Sequence, residues 1–435
     1  SRSRTSPAPI PVVRPTAFSP HTVHSETPLV LTALVFGYAL VSGLIKRWYL
    51  APALIFVLLG MALGPFGLNL LDAGPGTEGY TVLAQVALTV ILFVQASRLD
   101  IGRVMRRGLL SFRLIVIGIP LTLMLGALTA ALLLPVLPWW EAVCLAAVVA
   151  PTEVALIETL IDDERVPDRV RNALSVESGF SDGIALATLL AAVALASARV
   201  DPHPADWLWF AFRTEVVSLF MGVSVGLAGG LLVVWSRRRG WLNDIWAQLA
   251  TLAIALICFE VGEGVRASGF VAAFTGGLAF AFVTIRGTAV SDGGETAVSD
   301  GGATAVPNQV SDASAQLLEL MVFAMFGAFA VIDGWRNVSW RVVAFSIVAV
   351  FAVRMVAVLV ALVRTDLPLY SRAFIGWFGL RGIGTLVLGL LVINRGEIQH
   401  TDIIAQTVVV TVTLSLVLHS VTSSIAIRGY RNGDR

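Results

Sequence analysis

Charge is scarce in this sequence. Only 14% of its 435 residues are Asp, Glu, Lys or Arg, about half the share of roughly 25% that a water-facing domain carries, and this excludes most soluble enzymes. An excess of one sign is lacking as well. The 30 basic and 29 acidic residues leave a net charge of +1, so no basic field marks a nucleic-acid partner. Cysteine is limited to Cys144 and Cys258. Both lie in apolar runs without metal-ligand spacing, which excludes a disulfide framework and leaves them as packing residues. What fills the chain instead is apolar: 57% of residues are hydrophobic and the mean hydropathy is +0.83.

The apolar residues form long runs. Windows of about 20 residues, the length that crosses a bilayer as a helix, fall at about 28–45, 50–71, 80–97, 109–134, 138–161, 172–198, 207–235, 242–262, 267–284, 315–332, 341–363, 369–392 and 401–427. The runs are continuous rather than alternating, which argues against barrel strands. The sequence therefore predicts an all-α polytopic membrane protein with about 13 transmembrane helices. Short cytoplasmic loops retain Lys and Arg. With the C-terminus inside, the inner loops hold nineteen basic residues and the outer loops six, which predicts an outside N-terminus and a cytoplasmic C-terminus.

Residues 1–27 are rich in Pro, Ser and Thr, have no stretch apolar enough for a signal-peptide core, and are expected to be a disordered tail. Residues 287–312 carry Thr-Ala-Val-Ser-Asp-Gly-Gly twice, starting at Thr288 and Thr296, and read as a flexible cytoplasmic linker. The transmembrane domain is expected over 28–427 and a cytoplasmic tail over 428–435.

Five ionisable residues fall well inside spans: Glu153, Glu177, Asp182, Arg354 and Arg381. A charge at the bilayer centre costs roughly 2.5–3.5 kcal/mol, so these groups must neutralise one another or a ligand. Three carboxylates and two guanidiniums leave one negative charge, which one monovalent cation or one proton would balance. Glu177 and Asp182 lie about 140° apart on a helix and cannot serve one cavity equally. Ser178, one turn before Asp182, shares its face. Asp182 and Ser178 can line an oxygen-rich site while Glu177 turns to a neighbouring helix, where an arginine is its natural partner.

Pro151, in Ala150-Pro151-Thr152-Glu153, removes a backbone donor at mid-span and predicts a broken helix, tolerated at that depth where it lines a cavity. Gly376, Gly379, Gly382 and Gly384 around Arg381 fit either close helix packing or a second interrupted span. Glu260, Glu263 and Glu319 read as structural residues near span ends, and Glu158, Asp162 and Asp163 as a cluster at the cytoplasmic end of the fifth span. His400 and His419 are candidates for tuning a pH response, although a lone histidine near a span end is usually structural.

Taken in order, Thr152-Glu153, Glu177-Ser-Gly-Phe-Ser-Asp-Gly183, Glu263-Gly-Val-Arg-Ala-Ser-Gly269 with Gly276-Gly277, Glu319 to Gly327, and Gly379-Leu-Arg-Gly382 resemble the motifs of the NhaP-type sodium/proton exchangers, a branch of the monovalent cation/proton antiporters. The resemblance implies two inverted six-helix repeats with discontinuous fifth and twelfth helices. It implies a mobile core of spans 109–198 and 341–427 packed against a dimerisation scaffold, in a homodimer in the plasma membrane.

The resemblance also implies that the protein is a transporter rather than an enzyme, with no resident cofactor, exchanging Na+, Li+ or K+ for H+. Asp182 would hold cation and proton in turn, Thr152, Glu153 and Ser178 would add oxygen ligands, and Glu177 would pair with Arg354. Two positions depart from the family pattern. Glu153 stands where an aspartate followed by proline is expected, and Ser181 where the electroneutral branch has asparagine. An electrogenic antiporter, a K+-selective antiporter and a cation channel are the alternatives.

Overall fold

The computed structural model describes residues 26–46, 51–71, 78–99, 109–153, 166–198, 204–289, 309–395 and 398–433. Helices make up nearly all of this, and no strand occurs among the described residues. In chain order they are α1 (Thr27–Lys46), α2 (Pro52–Leu63), α3 (Glu78–Ser97), α4 (Leu109–Leu133), α5 (Trp139–Val149), α6 (Asp168–Ala198), α7 (Pro204–Arg238) and α8 (Asp244–Gly264). There follow α9 (Gly269–Ala289), α10 (Gln309–Phe329), α11 (Val331–Arg336), α12 (Trp340–Ala361), α13 (Leu369–Trp377), α14 (Ile383–Arg395) and α15 (Thr401–Gly433).

Among the described residues eight helices are long and apolar enough to cross a membrane, and five more are apolar but shorter. Local sequence explains several boundaries. Pro52 opens α2 where its missing N–H costs nothing. The Asn243 side chain accepts the Trp246 N–H at 3.0 Å to cap α8, and Ser339 caps α12 through the Arg341 N–H.

Several expectations shift. The second span, expected to reach residue 71, ends as a helix at Leu63, because Gly64-Pro65 cannot continue it. The last helix runs to Gly433, through most of the expected 428–435 tail. The expected linker is helical at both ends, since α9 continues to Ala289 and α10 begins at Gln309. Its centre, the 1–25 part of the expected N-terminal tail, and Glu158, Asp162 and Asp163 lie outside the described residues. Glu319 is buried near the middle of α10 rather than near a span end, because that helix starts earlier than its apolar run.

Helices α4 to α6 and α12 to α15 repeat one plan. Each set has a long helix with a wide π turn, at Leu114–Gly118 in α4 and Val348–Val353 in α12. Next comes a helix that loses helical form, α5 ending at Val149 in one set and α13 giving way to α14 in the other, and then a long unbroken one. Pro120 explains the first π turn, because it removes an N–H and crowds the carbonyl four residues back. No proline accompanies the second.

Elsewhere helices meet along seams of small residues, as lipid-embedded helices do. A Cβ on Gly226 of α7 would fall 2.1 Å from the Gly276 carbonyl oxygen of α9, and one on Gly327 of α10 would fall 2.1 Å from the Val57 carbonyl oxygen of α2. Gly327→Val should therefore lower the melting temperature in detergent, with a cost of about 1–3 kcal/mol for overpacking. Gly43→Ala, at a position where a Cβ meets nothing within 4 Å, should leave it unchanged.

Candidate functional site

The interrupted helices cross where both lose helical form. The first, α5, ends at Val149, and residues 150–153 continue without helix; α13 ends at Trp377 and α14 starts at Ile383. The two gaps complete each other. The Glu153 N–H donates to the Leu380 carbonyl at 2.8 Å. Arg381 donates from one terminal nitrogen to the carbonyls of Ala150 at 2.5 Å and Pro151 at 2.9 Å. These are carbonyls that a helix end leaves without partners, and the guanidinium also places positive charge at the negative end of the α5 dipole.

Helix α6 holds the gap after α5 from the other side. Ser181 Oγ accepts the Thr152 N–H at 3.2 Å and donates to the Ser178 carbonyl at 2.8 Å, while Ser178 Oγ donates to the Thr152 carbonyl at 2.7 Å. The hydroxyls of Thr152 and Ser181 lie 3.3 Å apart.

All five intramembrane charges meet here, each at most 3% exposed. Glu177 turns away from Asp182, as its helical spacing requires. It forms a two-pronged pair with Arg354, at 2.6 Å and 3.0 Å, the geometry that best tolerates low dielectric. Arg354 also donates to the Ile375 carbonyl at 3.3 Å. The pair depends on a glycine, because a Cβ on Gly379 would fall 1.6 Å from Arg354 Nε.

Glu153 accepts the Gln95 side-chain amide at 3.1 Å and faces the backbone N–H groups of Ile383 and Gly384 at the start of α14, the positive end of that helix. Asp182 differs from both other carboxylates. Its two oxygens are buried without a hydrogen-bond partner, it faces Glu153, and Oδ1 lies 2.9 Å from where a Cβ on Gly384 would sit.

The structure thus brings Thr152, Glu153, Ser178, Ser181, Asp182 and Arg381 together and sets Glu177 and Arg354 beside them. Gln95 is a member that sequence reasoning missed. Its Oε1 is also buried without a partner, and its only signal was one amide in the apolar third span. A second missed feature is the pair of Glu141, on the first turn of α5, with His400 at 2.7 Å, joined by the Gln399 N–H at 3.2 Å. Glu263 accepts the Gly269 N–H at 2.9 Å, a structural cap on α9.

A cavity of about 760 Å³ opens between α3, α8, α14 and α15. Glu263, Asp333 and Asp402 line it, and Leu386 and Val387 lie within one turn of Gly384 along α14. Asp182 is not among its lining residues.

This fold and site define a multi-pass membrane protein with buried carboxylates and hydroxyls gathered where two helices lose helical form. Residues 30–428 match the family described as sodium/hydrogen exchanger, transmembrane, and the chain belongs to that family. Among curated relatives it is 26% identical to a K(+)/H(+) antiporter NhaP of Alkalimonas amylolytica, over 83% of this chain and 60% of that one. It is 25% identical to a probable Na(+)/H(+) antiporter of Schizosaccharomyces pombe, over 60% of this chain and 36% of that one. The chain therefore spans less than two thirds of the length of these relatives. Its fold is like that of the sodium proton antiporter MjNhaP1 of Methanocaldococcus jannaschii, with TM-score 0.69, 18% identity, and coverage of 91% of this chain and 98% of that one.

Removing one partner of a buried ion pair leaves the other charge uncompensated, at about 3–5 kcal/mol. Arg354→Ala should lower the melting temperature in detergent by that equivalent, and Gly379→Ala should do so in the same direction. An unchanged unfolding curve for Arg354→Ala would remove the pair from the forces that hold this crossing.

Proposed function

We propose that the protein is a secondary antiporter that exchanges a monovalent cation, Na+ or K+, for H+, with Asp182 holding the two in turn. The observation that carries this reading is the buried, partnerless Asp182 carboxylate. The other four charges have protein contacts. Glu177 and Arg354 neutralise each other, Arg381 is engaged by two carbonyls, and Glu153 is met by amides. One negative charge is left over, and one cation or one proton neutralises it, which fits electroneutral exchange. Thr152, Ser178 and Glu153 supply neighbouring oxygens, the hard donors that suit such cations.

Moving a bare carboxylate through the bilayer carries the penalty of an intramembrane charge. The core therefore moves only when Asp182 holds one of its two ligands, and this prevents a leak. The 760 Å³ cavity with its three carboxylates serves as the aqueous approach. The excess of basic residues in alternate loops supports a cytoplasmic C-terminus in the plasma membrane, and the family resemblance supports a homodimer.

In proton-loaded vesicles, adding sodium, lithium or potassium salts should dequench a pH-sensitive dye for the wild type, with the responsive salt identifying the cation. Asp182→Asn should abolish the response. Exchange that persists in that variant would move the carrier role away from Asp182, and current in a solid-supported membrane recording would replace electroneutral exchange with an electrogenic cycle.

A further inference from the structure

His419 is a buried titratable group that the exchange scheme leaves unused. It lies on α15, 1% exposed, among the rings of Phe351, Trp377 and Phe378 at centroid distances of 6.3, 6.0 and 6.0 Å. Its position explains how the second gap stays open. In an unbroken helix the Trp377 carbonyl would accept the Arg381 N–H four residues on. Here both groups go to α15. The Arg381 N–H donates to Ser415 Oγ at 2.9 Å, and the Trp377 carbonyl lies 2.7 Å from His419 Nε2.

A carbonyl only accepts, so a bond to Trp377 needs a proton on Nε2, and both ring nitrogens face a carbonyl at 2.7 Å. Nδ1 lies 2.7 Å from the Ser415 carbonyl and 3.2 Å from Ser415 Oγ. Ser415 and His419, one turn apart, thus stand in for the missing helical bond. The arrangement matches the other gap, where Ser181 takes the Thr152 N–H and Ser178 donates to the Thr152 carbonyl.

We propose that His419 is a positioning residue of the ion site: by donating to the Trp377 carbonyl it fixes residues 378–382 and so sets Arg381, Leu380 and the start of α14 against Ala150, Glu153 and Asp182. It touches no transported ion. The bond that holds the gap is the one from Nε2, and the charged groups whose fields reach the ring are Arg354 and Arg381. The conservative substitute is therefore a neutral donor with the reach of Nε2. Gln places its amide nitrogen near that position, Asn near Nδ1, and Leu offers neither.

The inference rests on the antiporter reading only for its transport assay, so a second readout is independent of transport. This is the concentration of sodium or potassium chloride giving half-maximal thermal stabilisation of the purified protein. His419→Leu and His419→Asn should each raise that midpoint, and the apparent KM for dequenching, about tenfold, with turnover within about threefold. His419→Gln should restore both to within about twofold of wild type. Ser415→Ala, which removes the acceptor of the Arg381 N–H and keeps the imidazole, should shift both in the same direction, and it keeps the test open if His419→Leu does not fold.

A merely packing role would lower the melting temperature and leave midpoint and KM in place. That result, or a Gln variant no better than Asn, overturns the proposal. Should the wild type show cation-dependent stabilisation without dequenching, the antiporter reading falls, while the midpoints of the His419 variants still decide this proposal.

Discussion

In the interior of a membrane protein a backbone group without a partner costs several kcal/mol, and the crossing of α5 with α13 and α14 is organised around that cost. Two helices are interrupted at one place, and the groups freed by one are met by the other. The Glu153 amide finds the Leu380 carbonyl, and the carbonyls of Ala150 and Pro151 find Arg381. Neither gap is satisfied alone. This binds the two helices into one unit, and α6 and α15 complete it through Ser178, Ser181, Ser415 and His419.

The charges follow from the same geometry. Arg381 sits at the end of the α5 dipole and donates to the freed carbonyls of Ala150 and Pro151. Arg354 is closed off by Glu177 through a two-pronged pair that needs Gly379 for clearance. Glu153, the longer side chain where the family pattern has aspartate, reaches the Gln95 amide and the first amides of α14. Each of these groups has at least one partner fixed by the fold, and Asp182 is the carboxylate left with both oxygens open. The longer side chain of Glu153 is thus accommodated at the α14 terminus.

Much of this was legible in the sequence, and the reasons are local. Pro151 announced a gap because proline cannot donate, and the 140° between Glu177 and Asp182 separated an ion-pair carboxylate from a site carboxylate. What stayed hidden depends on distance in sequence or on backbone geometry without a residue signature. Gln95 is one neutral side chain in an apolar run, and its role exists only because α3 packs beside Glu153. Glu141 and His400 are 259 residues apart. The π turn before Arg354 has no proline to mark it, and hydropathy could not see α2 end at Leu63, since the residues after it are apolar but form a turn.

The repeated plan of α4–α6 and α12–α15 shows why one interrupted helix would not serve. A single gap in lipid leaves amides and carbonyls that water cannot reach. A second gap supplies complementary groups beside it, and each long helix that follows adds hydroxyl or imidazole groups about one turn apart to hold its own gap open. The resulting cluster is bonded through its backbone, and Asp182 is left with both carboxylate oxygens without a partner.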